Sequence, residues 1–449
     1  MRGCEVSSIS KRTVVSTKPV QPAGKFSPLS LLDRAMQHYL IRLVFYYRKI
    51  DKNVKLGESI SETLNAYERM TGRLMRSAED EKWLMKCNDA GLRLVEAKVK
   101  GITVAQWLQN VDREKELQLA HWEPILLDPY FSSPFYIQIT EFEEGGVAIG
   151  LSCTHLLADP VAATMFMKAW ADISFAGKIL CPPHFHPFPA AAAVNKQVCT
   201  RNNNNSLIKH YCKFISTQKQ MYPAAKRTST ITLLFSDQMV MKCMSMAQTV
   251  ADAHGGGAFE ALAGLFWTRI SKVKNMDLVV GLDVRKVLGL DKGFFGNCMV
   301  YNKAAWNKES MKMGDIDLLS QAATEIRNLV KEMDRESVME LMEWLQQNPG
   351  DVLIDGGCDS LVCANLEDLD SYSACFGDRP PMHVSCYIEP ADAGIGSSSK
   401  LVILPSPPPG TGPFSRTVML TLPENEAFEL MEDQFIQQLS PSVKMHACN

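Results

Sequence analysis

The strongest constraint on the fold lies in residues 135–155, FYIQITEFEEGGVAIGLSCTH. Side chains alternate there, with Tyr136, Gln138 and Thr140 on one side of an extended chain and Phe135, Ile137 and Ile139 on the other. Glu143-Glu144-Gly145-Gly146 supplies turn chemistry, and VAIGLSCT returns as a second strand. This hairpin places His155 where its second strand runs out. Four residues on, Asp159 precedes Pro160, and Val161, Met165, Trp170 and Ile173 follow at helix-like intervals. Pro160 disfavours helical backbone at Asp159, as an N-cap requires, and is itself comfortable at the first helical position. Local physics therefore accounts for Asp159 as a cap. It does not account for His155.

Other segments complete a mixed pattern. FSPLSLLDRAMQHYLIRLVFYY reads as a turn and then a strand. SISETLNAYERMTGRL has Ile60, Leu64 and Tyr67 at helical spacing, and KWLMKCNDAGLRLVEAKV reads as two strands around the turn 88–91. Residues 181–206 hold Pro, Ala and Asn runs and mark a crossover. The expected organisation is an N-terminal domain at 1–180, a linker at 181–225 and a C-terminal domain at 226–449. In the second half, TITLLFS, DLVVGLDVRK, MHVSCYIEP, KLVILPSPPP and SRTVMLTLP read as strands. DQMVMKCMSMAQTVAD, AFEALAGLFWTRISKV, ESVMELMEWLQQN and ENEAFELMEDQFIQQL read as helices, the Met/Leu stripe of the third being core. Strands and helices without regular βαβ alternation give an α/β class of the mixed α+β kind, in two domains.

Composition narrows the function. The 449 residues carry a net charge of −3, so nothing draws the whole chain to nucleic acid or anionic lipid. Residues 1–55 hold 11 Lys/Arg against 3 Asp/Glu, and residues 301–370 hold 6 against 15. These read as solvated faces, with a docking surface as the lesser alternative. Thirteen Cys without a CxxC pair suit reduced thiols in a cytosolic setting. His184 and His186 sit in a Pro-rich loop with no carboxylate nearby in sequence, so no metal is expected. No apolar run reaches membrane-span length, and the N-terminus has no apolar signal core.

Taken in order, LSLLDRAM, TGRL, CNDAG, the His-x-x-x-Asp at 155–159, AFEALAGLFWTRISK, LDVRK at 282–286, GFFGN at 293–297 and LPSPPPG resemble the BAHD superfamily of plant acyl-CoA-dependent acyltransferases. The resemblance implies two similar-sized domains like chloramphenicol acetyltransferase, each a mixed sheet with helices, joined by a crossover loop with a channel between them. It implies His155 as a general base facing the channel. Asp159 and Arg285 become structural residues that pair to order the His loop. Acyl-CoA is the implied substrate or ligand, with no cofactor and no metal.

The family's second signature, Asp-Phe-Gly-Trp-Gly, is degenerate here. The aligned positions are Ala374, Cys375, Phe376, Gly377 and Asp378, and the motif is expected to shape the second domain beside the channel, with the small Ala374 and Cys375 leaving extra room. These departures resemble the eceriferum/glossy branch of wax-deficiency proteins. That resemblance implies a role in very-long-chain fatty acid elongation for cuticular wax, beside a 3-ketoacyl-CoA synthase. It implies a cytoplasmic monomer without its own membrane span, recruited to the endoplasmic reticulum surface. Three readings stay open. In the first the chain is a non-transferring partner and His155 is a satisfied channel residue. In the second it is an active O- or N-acyltransferase using His155. In the third it is a folded protein with both sites dead and no long-chain role.

Overall fold

The computed structural model describes residues 5–51, 54–79, 82–125, 128–185, 205–215, 227–248, 256–348, 360–391, 399–408 and 412–445. Most of the expected crossover at 181–225, His186 included, lies outside them. The chain divides into two compact units. One comprises Met1–Phe188, Leu290–Asn297 and Leu369–Asp392. The other comprises Pro189–Gly289, Cys298–Asp368 and Ala393–Asn449. The division is thus not the two continuous halves expected from the sequence, because two segments of the second half belong to the first unit.

Unit 1 is built on a six-stranded sheet in the order Ser7–Val14, Leu92–Lys98, Phe135–Glu141, Val147–Thr154, Tyr39–Tyr47, His383–Pro390. The expected hairpin forms, with Phe135 opposite Cys153 and Ile139 opposite Ile149. The last strand explains why Leu369–Asp392 belongs here: it pairs antiparallel with Tyr39–Tyr46, with His383 opposite Tyr46 and Pro390 opposite Tyr39. The other segment is held by backbone bonds from His184 N to Gly293 O (2.7 Å) and from Phe295 N to His184 O (2.9 Å).

The two strands expected to pair around residues 88–91 go to different sheets. Trp83–Lys86 joins a small sheet with Arg73–Arg76 and Phe26–Ser27, while Leu92–Lys98 runs parallel to Phe135–Glu141. Gly150 matters to the packing. A Cβ there would lie 1.9 Å from the Leu119 carbonyl, so its hydrogen lets the 119–120 backbone press onto the sheet. Asp159 caps the helix Pro160–Ala176 as expected, accepting from Ala162 N at 2.8 Å. That helix buries Phe166 and Trp170 completely, each worth about 1.5–3 kcal/mol. The Trp170 indole donates to Ser59 Oγ at 3.0 Å.

Unit 2 holds a seven-stranded mixed sheet in the order Met299–Ala304, Asp277–Asp283, Ser360–Asn365, Ser399–Pro405, Arg416–Pro423, Thr228–Phe235, Ser442–Met445. The strands Asp277–Asp283, Ser360–Asn365 and Ser399–Pro405 run parallel. Helix Ala258–Val273 is buried almost all round, as its composition suggests. The C-terminal helix expected as one piece is two, Glu424–Met431 and Gln434–Gln437. Asp433 caps the second through Phe435 N and Ile436 N.

Candidate active site around His155

The site is assembled by the central strand of unit 1. Leu40 faces Thr154 at the end of the ladder, and His155 N donates to Tyr39 O at 2.9 Å, extending the pairing by one step. Directly opposed residues of an antiparallel pair share a face. His155 therefore projects on the side of Tyr39, Ile41 and Leu43, opposite to Arg42 and Tyr46. The chain turns there, with Leu157 N donating to Thr154 O at 3.0 Å, and reaches Asp159 and its helix.

Two further residues hold this turn. Asn297 Nδ2 donates to His155 O at 2.6 Å and to Asp33 Oδ1 at 2.8 Å, while Asn297 N reaches the same Asp33 oxygen at 3.0 Å. Asp33 is fixed in turn by a reciprocal capping box with Ser30. Sequence reasoning named neither Asp33 nor Asn297 as a site residue. Both sit in blocks it singled out, LSLLDRAM and GFFGN, so the signal was present without an assigned role.

The imidazole itself is 0% exposed, and neither Nδ1 nor Nε2 has a hydrogen-bond partner among the described residues. Asn297 Oδ1 is likewise buried and unpartnered. The hydrogen bonds of regular geometry hold the backbone of His155, and Asn297 is the side chain that acts on its ring. Burial lowers the His155 pKa below its ordinary 6.5; the charge of Asp159 and, more weakly, hydrogen bonding to its own backbone and to Asn297 and the charge of Asp33 oppose that without reversing it. The ring is thus held neutral at pH 7, the form that can accept a proton.

The degenerate motif lies elsewhere. Phe376 packs edge-on against Trp170 (centroids 4.8 Å) and Tyr47 (5.5 Å), and Tyr47 Oη donates to Ala374 O at 2.8 Å. Ala374 and Phe376 are buried; Asp378 is exposed, and Gly377 takes a left-handed φ of 90°. Cys375 is half-buried, and burial raises its thiol pKa. The segment belongs to unit 1, not to the second domain, because its ring inserts beneath Trp170 and the strand after it pairs with Tyr39–Tyr47. It is anchored at Tyr47, whereas His155 is anchored at Tyr39. Eight residues of strand, roughly 26 Å, separate the anchors. The small side chains at 374 and 375 therefore open no space beside His155.

Arg285, at the start of a short helix in unit 2, is 6% exposed and donates from Nη1 to Asp283 Oδ1 at 2.9 Å. Among the described residues no group of three or more His, Cys, Asp or Glu could hold a metal ion. His184 Nε2 lies 3.8 Å from Asp291. No described helix is long and apolar enough to cross a membrane.

Two mixed α/β units of this kind are the fold of chloramphenicol-acetyltransferase-like acyltransferases. The crystal structure of vinorine synthase superposes with a TM-score of 0.66 at 18% identity, covering 94% of this chain and 96% of that one. The F. sporotrichioides TRI101 complex with coenzyme A and T-2 gives 0.69 at 12% identity, covering 92% and 98%.

The chain belongs to the Transferase family, whose sequence profile matches residues 4–435. It is similar to Arabidopsis thaliana Protein ECERIFERUM 26-like (24% identical, over 92% of this chain and 91% of the relative). It is also similar to Protein ECERIFERUM 2 (23%, 96% and 99%) and Protein ECERIFERUM 26 (26%, 94% and 93%) from the same plant. The eceriferum branch noted from the motifs is thus the one these relatives represent.

Proposed function

We propose that this chain handles acyl-CoA in very-long-chain fatty acid elongation for cuticular wax, as a cytoplasmic partner of a 3-ketoacyl-CoA synthase recruited to the endoplasmic reticulum surface. The observation that carries the reading is the similarity to three eceriferum proteins along more than nine-tenths of the chain. TRI101, of the same fold, was crystallised with coenzyme A, which supports an acyl-CoA ligand. Asp159 and Arg285 serve as structural residues, and their pairing, implied by the resemblance, belongs to this proposal.

The test is lipid profiling of yeast expressing a condensing enzyme with and without the chain, as wild type and His155→Ala. Longer acyl products with both forms support a partner that transfers nothing. Unchanged chain lengths with a folded wild-type chain would refute the elongation role.

One observation favours acyl transfer by the chain itself. A buried imidazole with two unpartnered nitrogens has its proton-accepting atom free of any protein donor. In that reading His155 takes the proton of an acceptor hydroxyl or amine as it attacks the acyl thioester, and thiolate leaves. Turnover of acyl-CoA with an alcohol acceptor by the purified chain, abolished in His155→Ala, is the expected result. No turnover across a broad donor and acceptor panel would remove it.

A further inference from the structure

We propose that Asn297, held by Asp33, is a positioning residue for His155: its amide oxygen takes the Nδ1 hydrogen of the ring and leaves Nε2 as the proton-accepting atom. All three side chains belong to unit 1, Asn297 through the segment Leu290–Asn297. The inference deepens the acyl-transfer reading, because a general base needs one defined basic nitrogen, yet the arrangement is testable without turnover.

The orientation of the Asn297 amide follows from what Asp33 can accept. Asp33 Oδ1 takes Asn297 N at 3.0 Å and the Asn297 side chain at 2.8 Å. A carboxylate oxygen accepts and does not donate, so the side-chain atom facing it is Nδ2. The second hydrogen of Nδ2 goes to His155 O at 2.6 Å. Asp33 is itself fixed, since its Oδ2 accepts from Ser30 N at 2.7 Å and its N donates to Ser30 Oγ at 2.9 Å. Both amide hydrogens are therefore used, and the amide cannot flip without setting Oδ1 against the carboxylate.

What remains is Oδ1, an acceptor closed off from solvent beside an equally enclosed ring. Asn297 and His155 are each 0% exposed. A neutral imidazole has one N–H to place, and a buried donor and a buried acceptor that meet satisfy each other. The side chain of Asn297 raises the His155 pKa, which is the direction an acceptor gives and a donor would reverse. The contact lies outside regular hydrogen-bond geometry, as is common for catalytic groups before substrate binds.

The nitrogen concerned is Nδ1. The ring also bonds toward the carbonyl of its own residue, which Nδ1 can reach and Nε2, on the far side of the ring, cannot. Asn297 Nδ2 sits on that same carbonyl, so the amide oxygen comes to the Nδ1 edge. Nε2 keeps its lone pair, and no described donor competes for it. In the acyl-transfer reading it is Nε2 that takes the proton of the acceptor.

The test is long-range 1H–15N correlation on the full chain labelled with 15N-histidine, with the His155 signals assigned by their absence in His155→Leu. A protonated and a bare ring nitrogen resonate far apart, so the spectrum reads the tautomer directly. In wild type the Nδ1–H form is expected to prevail by at least about tenfold, the worth of about one hydrogen bond. Asn297→Leu and Asp33→Asn are each expected to reduce that ratio to about threefold or less, the first by removing the acceptor and the second by releasing the amide to flip. An Asn297 with a purely structural role would lower stability and leave the tautomer where it was. A wild-type ring protonated mainly at Nε2, or a folded variant of either kind with an unaltered ratio, overturns the proposal. If both variants fail to fold, the wild-type tautomer alone decides. Acyl-CoA turnover on the same samples separates the two claims. An Nδ1–H ring without turnover keeps the positioning and removes the transfer, whereas turnover with a ring protonated at Nε2 does the reverse.

Discussion

Glu116 and His155 are both wholly enclosed in unit 1, and both are reached from the strand Tyr39–Tyr47, yet their surroundings differ in kind. Glu116 accepts from Tyr46 Oη at 2.8 Å, from Ser385 Oγ at 2.6 Å and from Tyr387 Oη. Burial raises its pKa, and the three hydroxyls pull it back down. His155 has its backbone pinned at both ends and its ring in no hydrogen bond of regular geometry. A buried polar group with every acceptor used ties elements together. One left unsatisfied costs about 1–3 kcal/mol and adds nothing to the scaffold. The difference separates a structural carboxylate from a ring that the scaffold does not use.

Substitutions can break that comparison. The largest effect is expected from Glu116→Ala, which strands three buried hydroxyls and leaves a cavity. A loss of about 3–5 kcal/mol in urea unfolding is expected, and a loss below about 1 kcal/mol would show the cage to be dispensable. Gly150→Ala drives a methyl into the Leu119 carbonyl and displaces the segment following Glu116. About 1–3 kcal/mol is expected to go, with the 117–120 amides losing hydrogen-exchange protection; unaltered protection would contradict the close approach. Asn297→Ala removes the donor to His155 O and Asp33, for about 1–2 kcal/mol, measured in the same way.

The smallest effect sharpens the contrast most. His155→Leu replaces an unsatisfied ring by an apolar one, so stability at pH 7.5 is expected to stay within about 1 kcal/mol of wild type. Its pH dependence should change. The His155 pKa is lowered in the folded chain, so as pH falls below about 6.5 the unfolded chain takes up the proton first. The stability tied to the neutral ring is full above that pH and is lost on acidification. His155→Leu should flatten the wild-type decline between pH 7 and 5 by up to about 1.4 kcal/mol per pH unit. Glu116 has the opposite sign. Its pKa is raised above 4.5, so its contribution is full below that pH and is lost as pH rises through the folded value. An unaltered acid limb in His155→Leu would show that the ring titrates normally.

How far the sequence reached depended on the range of the interaction. The hairpin 135–154 and the Asp159 cap were readable because a turn, an alternation and an Asp-Pro step are encoded within a few neighbours. The parting of Trp83–Lys86 from Leu92–Lys98 was not, because either strand fits several partners and the choice is made by the sheets that receive them. The degenerate motif was placed in the wrong unit for the same reason: its address is set by Trp170 and Tyr47, more than two hundred residues upstream. The motif blocks around Asp33 and Asn297 were visible as blocks, but their meeting at the His155 carbonyl was not.

By itself, the order of residues determined the element types, the mixed α/β class and the position of His155 at a strand end, all from local stereochemistry and alternation. The family was legible only through the resemblance of its motif blocks to known proteins. Only the tertiary structure decided that the ring at 155 is closed in, that Ala374 and Phe376 fill a core at the Tyr47 end of the strand that anchors His155 at Tyr39, and that Arg42 and Arg113 share one carboxylate. Those facts are sums of contacts between distant segments, and burial and hydrogen-bond satisfaction have no meaning until the segments are packed.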